Sequence, residues 1–110
     1  MSQKILVVED NSGAPMFLSG YLQAQGYEVE QASDEVEAIH KIERKCFDLV
    51  LSDIVGPTID GFLLTAYILA NFPSTPVILM TDGRSKYPKR VAAKLGARHL
   101  LSKRLMLDEL

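Results

Sequence analysis

The sequence predicts an α/β fold in which helices cover both faces of a five-stranded parallel sheet. Short apolar runs rich in β-branched residues alternate with segments of helical length, at about one unit per twenty residues. Three of the apolar runs lack polar alternation, as expected for strands buried on both faces. A chain of 110 residues has room for one such domain. We therefore expect residues 1–110 to form a single doubly wound domain.

The predicted strands are the apolar runs, each bounded by polar or turn residues. The first, third and fourth runs read KILVV, LVLS and VILM and should lie at the centre of the sheet. The five predicted strands are Lys4–Val8, Tyr27–Ala32, Leu49–Ser52, Val77–Met80 and His99–Leu101.

Two helices are predicted from apolar spacing and end signals in the first half of the chain. Residues 15–25 place Leu18, Tyr21, Leu22 and Gln25 on one side, and Gly26 ends the helix. A second helix is capped by Ser33 or Asp34, with Glu37 at capping-box spacing from Asp34. Its predicted apolar face is formed by Val36, Ile39, Ile42 or Glu43, and Cys46.

The second half contains two further helices and the start of another. A third helix is expected over Gly61–Asn71, with Leu63, Leu64, Tyr67 and Ile68 at helical spacing, and Asp60 either caps or precedes it. A fourth begins near Pro88 and ends at Gly96. The last residues, SKRLMLDEL, only begin a fifth helix, which we expect to be truncated or missing.

Composition narrows the class of protein. The formal net charge of −2 gives no positive field for nucleic acid or an anionic membrane. A single cysteine, Cys46, excludes an internal disulfide and a cysteine-based zinc site, and we expect it to be a buried structural thiol. The four apolar residues after Lys4 are too few for a signal peptide or a membrane span. We predict a soluble, cytoplasmic protein.

Polar residues follow four of the predicted strands, and parallel strands bring these ends to one edge of the sheet. Carboxylates crowded there repel one another unless a cation neutralises them, and an all-oxygen set suits Mg²⁺. The residues at this edge are Glu9 and Asp10 after the first strand, Asp53 after the third, Thr81 and Asp82 after the fourth, and Lys103 after the fifth.

These groups are suited to phosphoryl transfer onto a carboxylate oxygen. Asp53 would be the nucleophile, Thr81 would donate a hydrogen bond to a phosphoryl oxygen, and Lys103 would neutralise its charge. A nucleotide or flavin phosphate site is disfavoured, because the first loop contains Glu9 and Asp10 in place of a glycine-rich cradle.

The assembled motifs resemble the receiver domain of bacterial two-component response regulators, similar to its chemotaxis-type members. The matching stretches are ILVVEDN, LVLSDIVGPTIDG, VILMTDG and LLSKRL. The resemblance implies a flavodoxin-like fold with strand order 2-1-3-4-5. It also implies Mg²⁺ held by Glu9, Asp10, Asp53 and the Val55 backbone carbonyl.

The family's function implies a phosphoryl group passed to Asp53 from a histidine kinase or phosphotransfer protein. An output domain or a downstream protein would read the resulting change, with no direct nucleic-acid or membrane binding by this domain. A homodimer through the fourth-helix/fifth-strand face is compatible with the family. The domain would catalyse only its own phosphorylation and dephosphorylation and would not be an enzyme in the ordinary sense.

Three positions depart from the family pattern. Arg104 follows the lysine where the family usually has proline, and Leu100 stands where an aromatic switch residue is expected. Asp82 stands where the family usually has a small residue. These departures keep an alternative open, a pseudo-receiver that binds a protein partner independently of phosphorylation. A second alternative, a small hydrolase, is disfavoured because Val55 occupies the position of its second aspartate.

Overall fold

A computed structural model describes residues 3–9, 17–53, 55–56, 59–81 and 99–102. Strands and helices alternate as predicted, and most of their bounds differ from the sequence prediction by no more than two residues. The predicted fourth helix and the start of the fifth lie outside the described residues. The elements are β1 (Lys4–Val8), α1 (Phe17–Ala24), β2 (Glu28–Ala32), α2 (Glu35–Arg44), β3 (Leu49–Asp53), β4 (Val55–Gly56), β5 (Ile59–Asp60), α3 (Gly61–Asn71), β6 (Val77–Thr81) and β7 (His99–Ser102).

The main sheet has five parallel strands in the order β2-β1-β3-β6-β7, which confirms the predicted topology. β1 lies between β2 and β3, and its register pairs Val8 with Ala32 on one side and with Ser52 on the other. β3 continues to β6 through the pair Asp53 and Met80. The strand order reverses between β1 and β3, so the central crevice of the sheet lies there.

Two cores sandwich the sheet. On one face, α2 and α3 pack through Ala38, Ile42, Leu64 and Ile68 onto strand residues such as Leu79. On the other face, α1 packs through Leu18 and Leu22 onto Ile5, Val7 and Leu51. Because neighbouring residues of β1 and β3 point to opposite cores, these strands are apolar without alternation. The prediction that they are central is confirmed.

The helix ends follow the local chemistry that the sequence indicates. α1 ends in a Schellman motif: Tyr27 N–H donates to the Leu22 carbonyl and Gly26 N–H to the Gln23 carbonyl. Gly26 has a φ of 97°, which a residue with a side chain adopts only at a cost. At α2, Asp34 Oδ1 accepts from the Glu37 N–H at 2.7 Å, so Asp34 is the cap.

A side-chain hydrogen bond joins α2 and α3 in addition to their shared core. The Tyr67 hydroxyl donates to Glu43 Oε2 at 2.7 Å. This bond raises the pKa of Tyr67 above its ordinary value, since ionisation would break it and place two negative charges together. The contact links the two helices, which run in the same direction because each connects parallel strands on the same face of the sheet.

Three expectations about side chains are wrong. Cys46 is exposed, because it lies just beyond the end of α2, where the chain has left the helix face. Val36 is also exposed, since the buried side of α2 is set by Ala38 and Ile42 instead. Leu63 points outward from α3 while Leu64 and Ile68 are buried. Among the described residues, no helix is long and apolar enough to cross a membrane.

Candidate functional site

The carboxyl ends of β1 and β3 define the candidate site. The helix that follows β1 packs on one face of the sheet, and the helix that follows β3 packs on the other. The helices that follow β1 and β3 therefore lie on opposite faces of the sheet, and doubly wound domains have their ligand crevice at the edge where this happens. The residues at the carboxyl ends of β1 and β3 therefore lie side by side at that crevice.

Glu9 and Asp53 are those residues. Val8 and Ser52 are partners in the β1–β3 ladder, so the next residues, Glu9 and Asp53, are neighbours across adjacent strands. Both are buried, each with 7% of its surface exposed. The Glu9 N–H donates to the Ala32 carbonyl at 3.0 Å, which continues the ladder to β2 one residue past β1. The structure thus confirms the predicted adjacency of these two acids.

Carboxylates are seldom so deeply buried unless they are paired or bind a cation. Glu9 and Asp53 both make interactions within the protein. Their oxygens are hard donors on adjacent strands, and this donor set fits Mg²⁺, which favours one or two carboxylates together with waters. Within the described residues no group of three or more acidic, histidine or cysteine side chains is placed so that it could hold a metal ion. The described part of the site is therefore a pair.

The backbone around Asp53 is fixed from both sides. The buried hydroxyl of Ser52 donates to the Asp53 carbonyl at 2.9 Å, where the strand ends. The chain then folds back through an antiparallel ladder that pairs Val55 with Asp60 and Gly56 with Ile59. Asp60 Oδ1 accepts from the Leu63 N–H at 3.0 Å, so the predicted cap of α3 is confirmed. The described parts of this segment therefore lead from the acid, through the antiparallel ladder, to the start of α3.

Sequence reasoning missed this short ladder and the Ser52 hydroxyl bond. One signal was present: the Asp60 cap lies seven residues after Asp53, which leaves length for only a tight reversal. Two-residue strands are too short to carry a hydrophobic period, so no pattern could have located them.

The other predicted site residues are placed only in part. Thr81 is the last residue of β6, and Asp53 pairs with Met80, so Thr81 lies one position beyond Asp53 on the neighbouring strand. Leu100 lies in β7 opposite Leu79, short of the carboxyl end. Val55 lies in β4, two residues past Asp53. Asp10, Asp82, Lys103 and Arg104 lie outside the described residues.

This fold and its acidic edge define a class of protein, the doubly wound domains whose site lies at the strand crossover between β1 and β3. The sequence profile described as response regulator receiver domain matches residues 5–110. The chain therefore belongs to the response regulator receiver domain family.

Curated relatives and solved structures agree with this assignment. The transcriptional regulatory protein ZraR of Klebsiella oxytoca is 38% identical over 106 residues, which cover 96% of this chain and 24% of that protein. The sensor protein EvgS of Escherichia coli O157:H7 is 31% identical over 96% of this chain and 9% of its own length. The chain thus spans only a small part of these relatives.

Among solved structures, the response regulator TrrA of Thermotoga maritima, in complex with Mg²⁺ and BeF, has a TM-score of 0.85 and 31% identity. That match covers 97% of this chain and 91% of the other. A CheY-like receiver domain protein from Methanospirillum hungatei JF-1 also has a TM-score of 0.85, with 28% identity over 99% of this chain and 90% of the other. These matches confirm the flavodoxin-like receiver fold.

Proposed function

We propose that this chain, over residues 1–110, is a phosphoacceptor domain that receives a phosphoryl group on Asp53. The observation that carries the proposal is the buried pair of Glu9 and Asp53 at the crossover point of a receiver fold. Asp53 ends β3 within this pair, at the position that the motif LVLSDIVGPTIDG gives to the phosphoacceptor. Asp53 is therefore the nucleophile of the proposed reaction.

In the proposed step a carboxylate oxygen of Asp53 forms a bond to phosphorus as the bond from phosphorus to the donor breaks. The donor is a phosphohistidine of a kinase or phosphotransfer protein, whose imidazole leaves and takes up a proton. Mg²⁺, when bound, would neutralise charge on the phosphoryl oxygens. Glu9, Asp10, Asp53 and the Val55 carbonyl would hold it, which the oxygen-only chemistry of the described donors supports.

Two further residues would act on the transferred group. Thr81 lies one position beyond Asp53 on the next strand, and its hydroxyl would donate a hydrogen bond to a phosphoryl oxygen. Lys103 would supply a positive charge. The resulting change would be read by an output domain or a separate protein. EvgS is named a sensor protein and ZraR a transcriptional regulatory protein, so receiver domains like this one occur in both settings.

The domain would catalyse only its own modification. Val55 stands where a hydrolase of this type needs its second acid, so turnover of small phosphate esters is not expected. Nothing in the described residues favours the phosphorylation-independent alternative. A cytoplasmic location remains our prediction from the single unpaired cysteine and from the proposed kinase donor.

The test is the intact mass of the protein after incubation with a small-molecule phosphodonor and Mg²⁺. Wild type should gain one phosphoryl group, and Asp53→Asn should gain none. Asp60→Asn is the matched control, since asparagine still caps α3 and the change removes the same charge only seven residues away. EDTA should abolish the gain. An adduct on Asp53→Asn, or none on folded wild type at any time from seconds to an hour after mixing, would refute the proposal.

A further inference from the structure

Ser52 is a polar residue inside an apolar core. It has no exposed surface, and in the sheet it lies between Val8 of β1 and Leu79 of β6, which are equally buried. Both neighbours belong to the core that α2 and α3 cover. Burial of a hydroxyl group in such surroundings is unfavourable unless the group makes a hydrogen bond, and alanine would occupy the position without that cost. Packing alone therefore does not account for a serine at this position.

The hydrogen bond of this hydroxyl group lies within a short stretch of backbone. Ser52 Oγ donates to the carbonyl oxygen of Asp53, the next residue, at 2.9 Å. The bond closes a ring that contains the ψ torsion of Ser52 and both soft torsions of Asp53, φ and ψ. In the low dielectric of a buried core such a bond is stronger than in water. It therefore restrains the backbone on both sides of the Asp53 Cα atom, from which the carboxylate branches.

Ser52 and Asp53 lie on opposite faces of the sheet, as successive residues of a strand do. Ser52 pairs with Leu79 in the core below α2 and α3, whereas Asp53 pairs with Met80, which belongs to the core below α1. The Ser52 hydroxyl group is thus held on the other side of the strand from the carboxylate. Ser52 therefore influences the carboxylate through the backbone.

The peptide group that follows Asp53 lies between two proposed ligands of Mg²⁺, the Asp53 carboxylate and the Val55 carbonyl. Val55 is held from the far side, because it pairs with Asp60, whose side chain caps α3. The Ser52 bond restrains the same segment from the near side, where β3 ends. The two restraints together limit how far the proposed ligands can move relative to each other.

We propose that Ser52 is a positioning residue of the phosphoacceptor site. Its hydroxyl group, through the Asp53 carbonyl, holds the Asp53 carboxylate and the Val55 carbonyl in the arrangement that binds Mg²⁺. The inference rests on the proposed function and deepens it, since it assigns the arrangement of that site to a residue that touches neither the metal nor the phosphoryl group. Loss of a group that orients metal ligands weakens metal binding by about tenfold or more.

Thr65 in α3 provides a matched control. Its side chain is also buried, with 1% of its surface exposed, and Thr65 Oγ1 donates to the Gly61 carbonyl at 2.7 Å. Ser52→Ala and Thr65→Val each remove one buried hydroxyl group and its bond to a backbone carbonyl, and neither introduces a bulkier side chain. The Thr65 bond lies within α3 and does not involve the segment from Asp53 to Val55. A general loss of stability would affect both variants, whereas a loss of positioning would affect Ser52→Ala alone.

Mg²⁺ affinity is measured from the midpoint of thermal unfolding over a series of Mg²⁺ concentrations at constant ionic strength. We expect Ser52→Ala to raise the dissociation constant by about tenfold and Thr65→Val to leave it within about twofold of wild type. Ser52→Thr retains the hydroxyl group and should restore the wild-type value. Ser52→Cys retains a weak donor and should lie between wild type and Ser52→Ala. Circular dichroism shows whether each variant is folded.

A second measurement needs no metal. Carbonyl carbon chemical shifts, measured by NMR in the metal-free protein, report the hydrogen bonds that each carbonyl group accepts. Ser52→Ala should shift the signals of Asp53 and Val55. Thr65→Val should leave both of these signals unchanged and shift that of Gly61. This readout detects the change in the backbone independently of the cation.

Equal Mg²⁺ affinities of Ser52→Ala and Thr65→Val would overturn the inference, as would Asp53 and Val55 signals that Ser52→Ala leaves unchanged. Wild type without measurable affinity for Mg²⁺ would overturn it as well. Wild type that binds Mg²⁺ more tightly than Ser52→Ala but takes up no phosphoryl group would support the role of Ser52 and refute the proposed function. The two failures are therefore distinguishable.

Discussion

Two aspartates bound the same strand, and their surroundings differ completely. Asp48 precedes β3 at the amino edge of the sheet and is exposed. Its Oδ2 accepts from the Lys4 N–H at 2.8 Å, and its own N–H donates to the Lys4 carbonyl at 2.8 Å. Asp53 ends the strand at the carboxyl edge and is buried next to Glu9. Asp48, at the amino end of the strand, therefore stabilises the sheet by binding the backbone of β1. Asp53, at the carboxyl end, is the candidate reaction centre.

The largest expected loss of stability follows substitution of a buried residue in β3, the strand that lies between the two aspartates. Leu51 is fully buried in β3, so Leu51→Ala should lower the free energy of unfolding by about 3 kcal/mol. Leu63→Ala, at an exposed leucine of α3, should change it by less than about 0.5 kcal/mol. Urea unfolding measures both. Equal losses would mean that β3 is not the scaffold that holds the two ends apart.

Mg²⁺ should distinguish the two ends of β3. At about 100 times its dissociation constant, a ligand that binds only the folded protein adds about 2.7 kcal/mol of stability. We expect this gain in wild type and in Asp48→Asn and its loss in Asp53→Asn. Unfolding is followed with and without the cation at matched ionic strength. A gain that persists in Asp53→Asn would place the metal elsewhere.

At the amino edge of the sheet, a substitution should lower the stability of the fold and leave phosphoryl uptake unchanged. Asp48→Ala removes the acceptor for the Lys4 N–H and should lower the free energy of unfolding by about 1 kcal/mol. Uptake of a phosphoryl group at Asp53 should be unchanged, as mass spectrometry would show. Asp48→Asn retains an acceptor and should lose less stability. Reduced uptake in Asp48→Ala would show that the two edges are coupled.

The smallest effect is expected at a third acid, Glu30 on the lateral strand β2. Lys45 Nζ donates to Glu30 Oε2 at 2.7 Å, and this bond, together with the charges of Lys45 and Lys41, lowers the pKa of Glu30 below its ordinary value of 4.5. A lowered pKa stabilises the folded state above pH 4.5, and the contribution disappears as the pH falls through the lowered value.

Because Glu30 is partly exposed, the contribution should be a few tenths of a kcal/mol. Glu30→Gln should remove it at pH 7, and the difference from wild type should vanish once the pH is below the lowered pKa, as parallel urea titrations at pH 7 and at the acid end of a pH series would show. A loss of equal size at both pH values would assign the effect to packing instead.

The parts of the fold that rest on local chemistry were predictable from sequence. The caps at Asp34 and Asp60 and the stop at Gly26 each need one residue type at one position, and the structure has all three as predicted. The unbroken apolar runs identified the central strands for the same reason. Glu9 and Asp53 came together because parallel strands share one carboxyl edge.

The orientation of helix faces was less predictable. Helical spacing predicts Val36 and Leu63 on the apolar sides of their helices, yet Ala38 in α2 and the pair Leu64 and Ile68 in α3 occupy the buried positions. α3 is apolar all round, so its spacing fits more than one orientation. Cys46 was expected inside for its residue type alone, which says nothing about where the chain leaves the helix.

β2 borders the sheet, and its outward backbone groups have no neighbouring strand among the described residues. The Ala32 carbonyl faces β1, where it accepts from Glu9, so the Gln31 carbonyl points outward. Lys41 Nζ donates to that oxygen at 2.7 Å. An ammonium group there occupies the acceptor that an incoming strand would need, and Glu28 adds an exposed negative charge to the same strand. The border of the sheet is thereby protected against pairing with a strand of another molecule.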